Sequence, residues 1–189
     1  MNLVVSHIGL SGLPSPEAVI PSLKAKSKRQ ALQKLSHRAA QLTGLPAREI
    51  FEKALERERR GSTGLGRGTA IAHAELRSLE TIVCLFARLD QPIAFDALDR
   101  EPVDLIFLLL TPEQACSDYL KALARISRLL REPTTVQRLR TATDGAAIYA
   151  VLIGSAGPAT RAGGAGASEP RRRWNTRQSY ALIRRRGRE

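Results

Sequence analysis

The chain has 189 residues, 43% of them hydrophobic, which is enough to bury one substantial core with room for an appendage. Its formal net charge of +12 is unevenly spread, with 21 basic and 16 acidic side chains in residues 1–152 against 9 and 2 in residues 153–189, which weakens the reading of the charge as a nucleic-acid-binding signal. No apolar run is long enough to span a bilayer, no basic segment leads into an apolar signal core, and two cysteines supply neither a disulfide framework nor a zinc site; the cytoplasm, without membrane insertion and with reduced thiols at Cys84 and Cys116, is the expectation.

Residues 1–26 contain Pro14, Pro16 and Pro21, which exclude a long helix and leave at most a short strand or docked segment at Val19 and Ile20. Ser27 then offers an N-cap, and Ala31, Leu32, Leu35, Ala39 and Leu42 recur at helical spacing until Gly44. His37 within this helix and His7 near the terminus have no neighbouring partner residues and are read as non-functional. Pro46 suits the first position of a second helix. Its Ile50, Phe51, Ala54 and Leu55 form an apolar face, and Glu52, Lys53, Glu56, Arg57, Glu58 and Arg59 a wet one.

A glycine-dense stretch follows, Gly61-Ser62-Thr63-Gly64-Leu65-Gly66-Arg67-Gly68, running into a short apolar segment that ends at His73. Such a loop lets another surface approach the backbone closely and is a candidate phosphate platform. Neither familiar phosphate motif fits: Arg67 and Gly68 stand where a P-loop needs lysine and a hydroxyl, and the dinucleotide fingerprint is incomplete. What remains is an imidazole, a competent nucleophile toward phosphorus at neutral pH, downstream of the arginine-rich run Arg57-Glu58-Arg59-Arg60. On local chemistry alone, His73 reads more readily as a strand-end or surface residue than as a catalytic one, and Arg57 as one half of an ion pair with a nearby glutamate.

Residues 69–74 read as a short strand delivering His73, residues 81–87 as a buried strand ended by Asp90-Gln91-Pro92, and residues 103–110 as the central strand, apolar on both faces and stopped at Pro112. Ser117 or Asp118 can cap a helix through Leu130 with a stripe of Leu120, Leu123, Ala124, Ile126, Leu129 and Leu130. Pro133 opens a further helix with Val136 and Leu139, and Asp144 caps a last one through Ala147, Ile148 and Val151. The expected fold is a single α/β domain over residues 1–152, a mixed sheet packed between helical layers. Residues 153–189, rich in Gly and Ala and then in Arg, are expected to form a flexible tail.

The run from Arg57-Glu58 through Gly61-Ser62-Thr63-Gly64-Leu65-Gly66 to Ala70-Ile71 and His73 resembles the phosphorylation-site segment of bacterial phosphotransferase-system enzyme IIA domains of the fructose/mannitol class, and is most similar to the nitrogen-regulatory subgroup. Pro92-Ile93-Ala94-Phe95-Asp96-Ala97-Leu98-Asp99, followed by Pro102-Val103-Asp104-Leu105, resembles the same subgroup; the similarity extends over residues 10–152. The resemblance implies that His73 is phosphorylated by an HPr-like phosphocarrier, that Arg57, Ser62, Thr63 and Gly64 surround the phosphoryl group, and that neither cofactor nor metal is needed. It also implies a phosphohistidine intermediate without small-molecule turnover, and regulatory targets such as sensor kinases or potassium transport systems. Where many members carry a second histidine, this chain has Tyr119, whose phenol can donate a hydrogen bond but carries no positive charge; the alternative is that it packs on the helix surface. Two other functions stay open: a sugar-transport enzyme IIA feeding an enzyme IIB, and nucleic-acid binding through the arginine-rich tail.

Overall fold

A computed structural model describes residues 13–113 and 116–154, the Cys116 side chain excepted. The expectations for His7, for the Cys116 thiol and for the tail beyond residue 154 lie outside the described residues. Five strands form one mixed sheet, in the order β1-β4-β5-β3-β2, made of β1 (Val19–Leu23), β2 (Gly64–Gly66), β3 (Thr69–Leu76), β4 (Val83–Ile93) and β5 (Val103–Pro112). β1 runs parallel to β4 and β3 parallel to β5, while β4 with β5 and β2 with β3 are antiparallel. The expected α/β architecture of a mixed sheet between helical layers is the one observed.

β5 is central, as its two-faced apolar run predicts. Its alternation sends Leu105, Phe107 and Leu109 to one core and Ile106, Leu108 and Leu110 to the other, all of them buried. The second core lies under α1 (Lys28–Thr43) and α2 (Ala47–Arg59), and the first under α3 (Cys116–Arg131), α4 (Pro133–Thr141) and α5 (Gly145–Gly154). Each fully buried Leu, Ile or Phe contributes about 1.5–3 kcal/mol, so β5 is the main store of hydrophobic stabilisation. Ser27 caps α1 by accepting the Gln30 N–H, and Asp144 caps α5 by accepting the Ala147 N–H at 2.8 Å.

Several boundaries differ from expectation, each for a local reason. Pro46 is the N-cap of α2 rather than its first residue. Asp90-Gln91-Pro92 does not end β4: the register breaks between Arg88 and Ile93, and pairing resumes at Ile93 with Val103. A proline costs no ladder bond where the ladder is already broken. Ser117 and Asp118 lie inside the first turn of α3, which begins at Cys116. The buried stripe of α3 is Ala122, Ile126, Leu129 and Leu130, with Leu120 60% exposed and Ala124 also exposed; the stripe is rotated toward Tyr119, which packs partly against the core.

Arg88 on β4 shows how one edge of the sheet is tied to a helix. Its Nη1 donates to the carbonyls of Leu139, Arg140 and Ala142, at 3.2, 2.8 and 2.6 Å, and its Nε donates to the Pro21 carbonyl at 2.9 Å. One guanidinium therefore closes the C-terminus of α4 and holds β1. Arg88→Met keeps the stem but leaves these carbonyls without their donor, a loss of about 2 kcal/mol. In thermal unfolding its midpoint should fall by about 4–8 °C, and a shift within about 1 °C would show that the cap is dispensable.

Candidate functional site

His73 sits on β3 where the sheet edge opens. β2 pairs only with Thr69 and Ala70, and the last bond across that edge runs from the Ile71 N–H to the Thr63 carbonyl. Past it, residues of both helical layers reach the same imidazole: Arg57 from the last turn of α2, and Tyr119 from the first turn of α3.

The hydrogen bonds of His73 settle its tautomer. Arg57 Nε lies 2.7 Å from His73 Nε2, and a guanidinium nitrogen can only donate, so Nε2 is the acceptor. The neutral ring then carries its proton on Nδ1, 3.2 Å from the Ile71 carbonyl that accepts it. Desolvation of this half-buried ring holds its pKa below the usual histidine value, and Arg57 pushes it the same way, against the opposing pull of the Ile71 carbonyl, Glu58 and Glu75. The resting state is a neutral imidazole with its lone pair on Nε2.

Arg57 is half-buried rather than on an exposed helix end, and it has no carboxylate within ion-pair distance among the described residues, so the ion-pair alternative does not hold. Its Nη1 donates to the Gly61 carbonyl at 3.1 Å. The Tyr119 ring centroid lies 5.6 Å from that of His73, tilted by 45°. Burial raises the phenol pKa above its ordinary value, so Tyr119 stands neutral beside the imidazole. Arg57, Ser62, His73 and Tyr119 line one open cleft of about 510 Å³. Among its other charged walls, Glu56 is paired with Arg60 and Glu113 with Arg77, which leaves the Arg57 fork as the cation aimed at His73.

The glycine-rich stretch is divided in its role. Only Gly61 and Ser62 border the cleft. Ser62 Oγ donates to the Phe95 carbonyl at 2.9 Å and accepts the Gly64 N–H at 3.2 Å. Both donors of Thr63 turn inward to the Glu58 carboxylate, the hydroxyl at 2.5 Å. A Cβ on Gly64 would lie 2.7 Å from that of Ala97. The turn at Gly66, Arg67 and Gly68 has positive φ throughout and belongs to the far end of β3, about 16 Å of strand from His73. There Arg67 N–H bonds Asp99, and Gly68 leaves room for the Arg140 and Asp104 pair. As a whole the stretch is therefore not a phosphate platform; most of its glycines permit close packing.

Sequence reasoning missed Glu58, which is only 6% exposed although it was assigned to the wet face of α2. The signal was present: Ile50, Ala54 and Glu58 follow one another at four-residue spacing, and all three are buried. Lys28 and Asp96, which join it in a network, carried no such mark. Cys84, the other buried reactive group, is a free thiol on β4 whose pKa burial pushes up strongly; it shares the Leu109 register position with His73 from the other side of β5 and does not line the cleft. Among the described residues no group of three potential ligands could hold a metal ion, and no helix is long and apolar enough to cross a membrane.

Comparison with known proteins gives this geometry a context. A family model described as "Phosphoenolpyruvate-dependent sugar phosphotransferase system, EIIA 2" matches residues 13–154. A nitrogen regulatory protein of Bradyrhizobium diazoefficiens is 54% identical over 143 residues, covering 76% of this chain and 94% of the relative. The nitrogen regulatory protein of Escherichia coli K12 is 37% identical over 150 residues, covering 78% and 91%. Among solved structures, the nitrogen regulatory protein IIA-Ntr of Neisseria meningitidis superposes with a TM-score of 0.72 at 28% identity, over 76% of this chain and 98% of that one. The mannitol IIA of Escherichia coli shares the fold with a TM-score of 0.63 at 16% identity, over 73% and 97%.

Proposed function

The chain belongs to the phosphotransferase-system EIIA 2 family, and from that membership we propose that it is a nitrogen-regulatory phosphoryl carrier, accepting a phosphoryl group on His73 Nε2 from the phosphohistidine of an HPr-like donor. The observation that carries this reading is the pair of hydrogen bonds on His73. With Nδ1–H committed to the Ile71 carbonyl, Nε2 is the nitrogen that faces Arg57 and the cleft. In the transfer, the P–N bond on the donor breaks, its imidazole leaves with the electron pair, and a new P–N bond forms at Nε2. The His73 ring then carries positive charge, which the Ile71 carbonyl stabilises through Nδ1–H. Arg57 must swing off the lone pair and turn its donors to the phosphoryl oxygens, pivoting at the Gly61 carbonyl. One phosphoramidate replaces another, so alignment and charge stabilisation are the whole of the catalysis.

A regulatory rather than sugar-transport role is supported by the relatives that match almost along their full length, which are nitrogen regulatory proteins, whereas a fructose-specific EIIABC component is matched over only 20% of its length. The downstream targets proposed are protein partners, of the sensor-kinase or potassium-transport kind, that distinguish the two phosphorylation states. Intact-mass measurement after incubation with enzyme I, the phosphocarrier and phosphoenolpyruvate tests the reading. One acid-labile phosphoryl group is expected, and no mass increment, or an acid-stable one, would overturn it.

Tyr119 in this scheme orients rather than neutralises: a neutral phenol can give one hydrogen bond, worth about 0.5–1.5 kcal/mol, to a phosphoryl oxygen. Tyr119→Phe should slow transfer by about 2–10-fold, and Tyr119→His should be tolerated. Rates unchanged in Tyr119→Phe would leave the tyrosine as a packing surface for the imidazole.

A further inference from the structure

Behind the cleft, one buried carboxylate gathers three separate segments. Glu58 accepts the Thr63 N–H on both oxygens, at 3.2 and 3.1 Å, and the Thr63 hydroxyl at 2.5 Å. Lys28 Nζ, at the start of α1, lies 3.0 Å from Glu58 and 2.7 Å from Asp96, with the Phe95 ring 5.0 Å beneath it. Phe95 is in turn held to the loop through its carbonyl, which accepts the Ser62 hydroxyl. The loop from Gly61 to Thr63 is thus gripped from inside while its outer face meets the cleft.

The grip bears on the nucleophile through a short chain of contacts. Glu58 fixes Thr63, and the loop this holds presents the Gly61 carbonyl. That carbonyl holds Arg57 Nη1, which leaves Arg57 Nε on His73 Nε2. We propose that Glu58 is a positioning residue of the phosphoryl site, setting the loop that aims Arg57 at His73. It touches neither the imidazole nor any position a phosphoryl group could take, since its carboxylate is filled by Thr63 and Lys28. A buried carboxylate kept only for stability would set the melting point and nothing at His73; a positioning carboxylate sets both. The charged and titratable groups that face His73 are Arg57 and Glu58 of α2, Glu75 of β3 and Tyr119 of α3.

The test uses the full chain, with ¹⁵N spectra of the His73 ring and the Arg57 Nε–H followed against pH, well below each variant's melting point. Thr63→Val, which leaves the Glu58 charge in place, should raise the His73 titration midpoint, because Arg57 no longer stays on Nε2. Glu58→Gln also removes a charge that raises the His73 pKa, so it is read on solvent exchange of the Arg57 Nε–H, which both variants should speed. Thr63→Ser, which keeps both donors, should restore both signals. Should Glu58→Gln fail to fold, the Thr63→Val and Thr63→Ser pair decides alone. Wild-type His73 and Arg57 signals in Thr63→Val, with only a lower melting point, would overturn the proposal. A second arm, which rests on His73 being the acceptor, measures transfer: Thr63→Val should lose about tenfold in maximal rate at unchanged donor KM, whereas a loss confined to KM would also overturn the proposal. If wild type takes no acid-labile phosphate, it is the functional reading that fails, and the spectra still decide whether Glu58 aims Arg57.

Discussion

His73→Ala should emerge from incubation with enzyme I, phosphocarrier and phosphoenolpyruvate without any acid-labile phosphate, while wild type gains one such group per chain. The substitution removes the nitrogen that would form the P–N bond and little else. The strand around it keeps its pairing, because the backbone at position 73 is in register with Leu109 of β5 whatever its side chain, and the neighbours Ala72 and Ala74 pack into the opposite core. The ring is only half-buried, so the fold should survive its loss. His37 is exposed on α1 and has no arginine or backbone carbonyl arranged around it among the described contacts, so it offers no second acceptor. Labelling of the alanine variant at the wild-type level would move the acceptor to another residue, and acid stability of the label would identify a hydroxyl.

Arg57→Ala should retain the acceptor and lose rate. Two opposing terms set the size of the loss. A charged donor aimed at the oxygens of a transferring group is worth about 2.7–4 kcal/mol in the transition state. In the resting protein the same guanidinium holds the lone pair of His73, a charge-assisted hydrogen bond worth about 1.5–3 kcal/mol, and deleting it frees the nucleophile. The difference, about 1–2 kcal/mol, gives a fall of roughly tenfold in kcat/KM rather than the hundredfold or more that the donor alone would suggest. The pH profile carries a second signature. Only the neutral imidazole is a nucleophile, and its pKa is depressed in the wild type, so the rate should hold level through neutrality and drop only below the ordinary histidine range. Without Arg57, a lowering contribution disappears and the ring is more open to water, so the acid limb should move upward in pH. A variant with the wild-type rate and profile would reduce Arg57 to a cover over the ring.

The fold was readable where burial follows a single period. β5 announced itself because six consecutive apolar residues can be buried only by covering both faces, and α1 because its cap and its stripe agree. Readability failed where one residue answers to two partners. The apolar content of α3 admits more than one stripe, and the one chosen by the fold is settled by Tyr119 packing toward β3, which spacing alone does not reveal. Asp90-Gln91-Pro92 carried turn chemistry, yet pairing of Ile93 with Val103 across the break prolongs the strand. Arg88 is an unmarked arginine in a strand, and its four carbonyl partners come from residues 51 to 67 positions away in sequence. At the site, His73 and Arg57 rest on the enzyme IIA resemblance, whereas Glu58 follows from helical spacing but was hidden by the charged residues around it. The glycines misled because a glycine is equally the mark of an open loop and of two backbones in contact, and Gly64 and Gly68 are of the second kind.

The margins of the sheet bear on how this protein meets others. β1, at one edge, includes Pro21, which has no amide hydrogen to offer, and β2, at the other, is three residues long and ends in a turn of positive φ. Among the described residues, the proline in one edge strand and the shortness of the other cut back the row of amides and carbonyls on which a foreign strand could be laid down. Polymerisation through the sheet is discouraged, and so is any partner that would bind by lending a strand. An open hollow such as the His73 cleft offers side-chain contacts in place of strand pairing. The carrier proposed above, taking a group from one protein and showing it to the next, would be served by surfaces that let go.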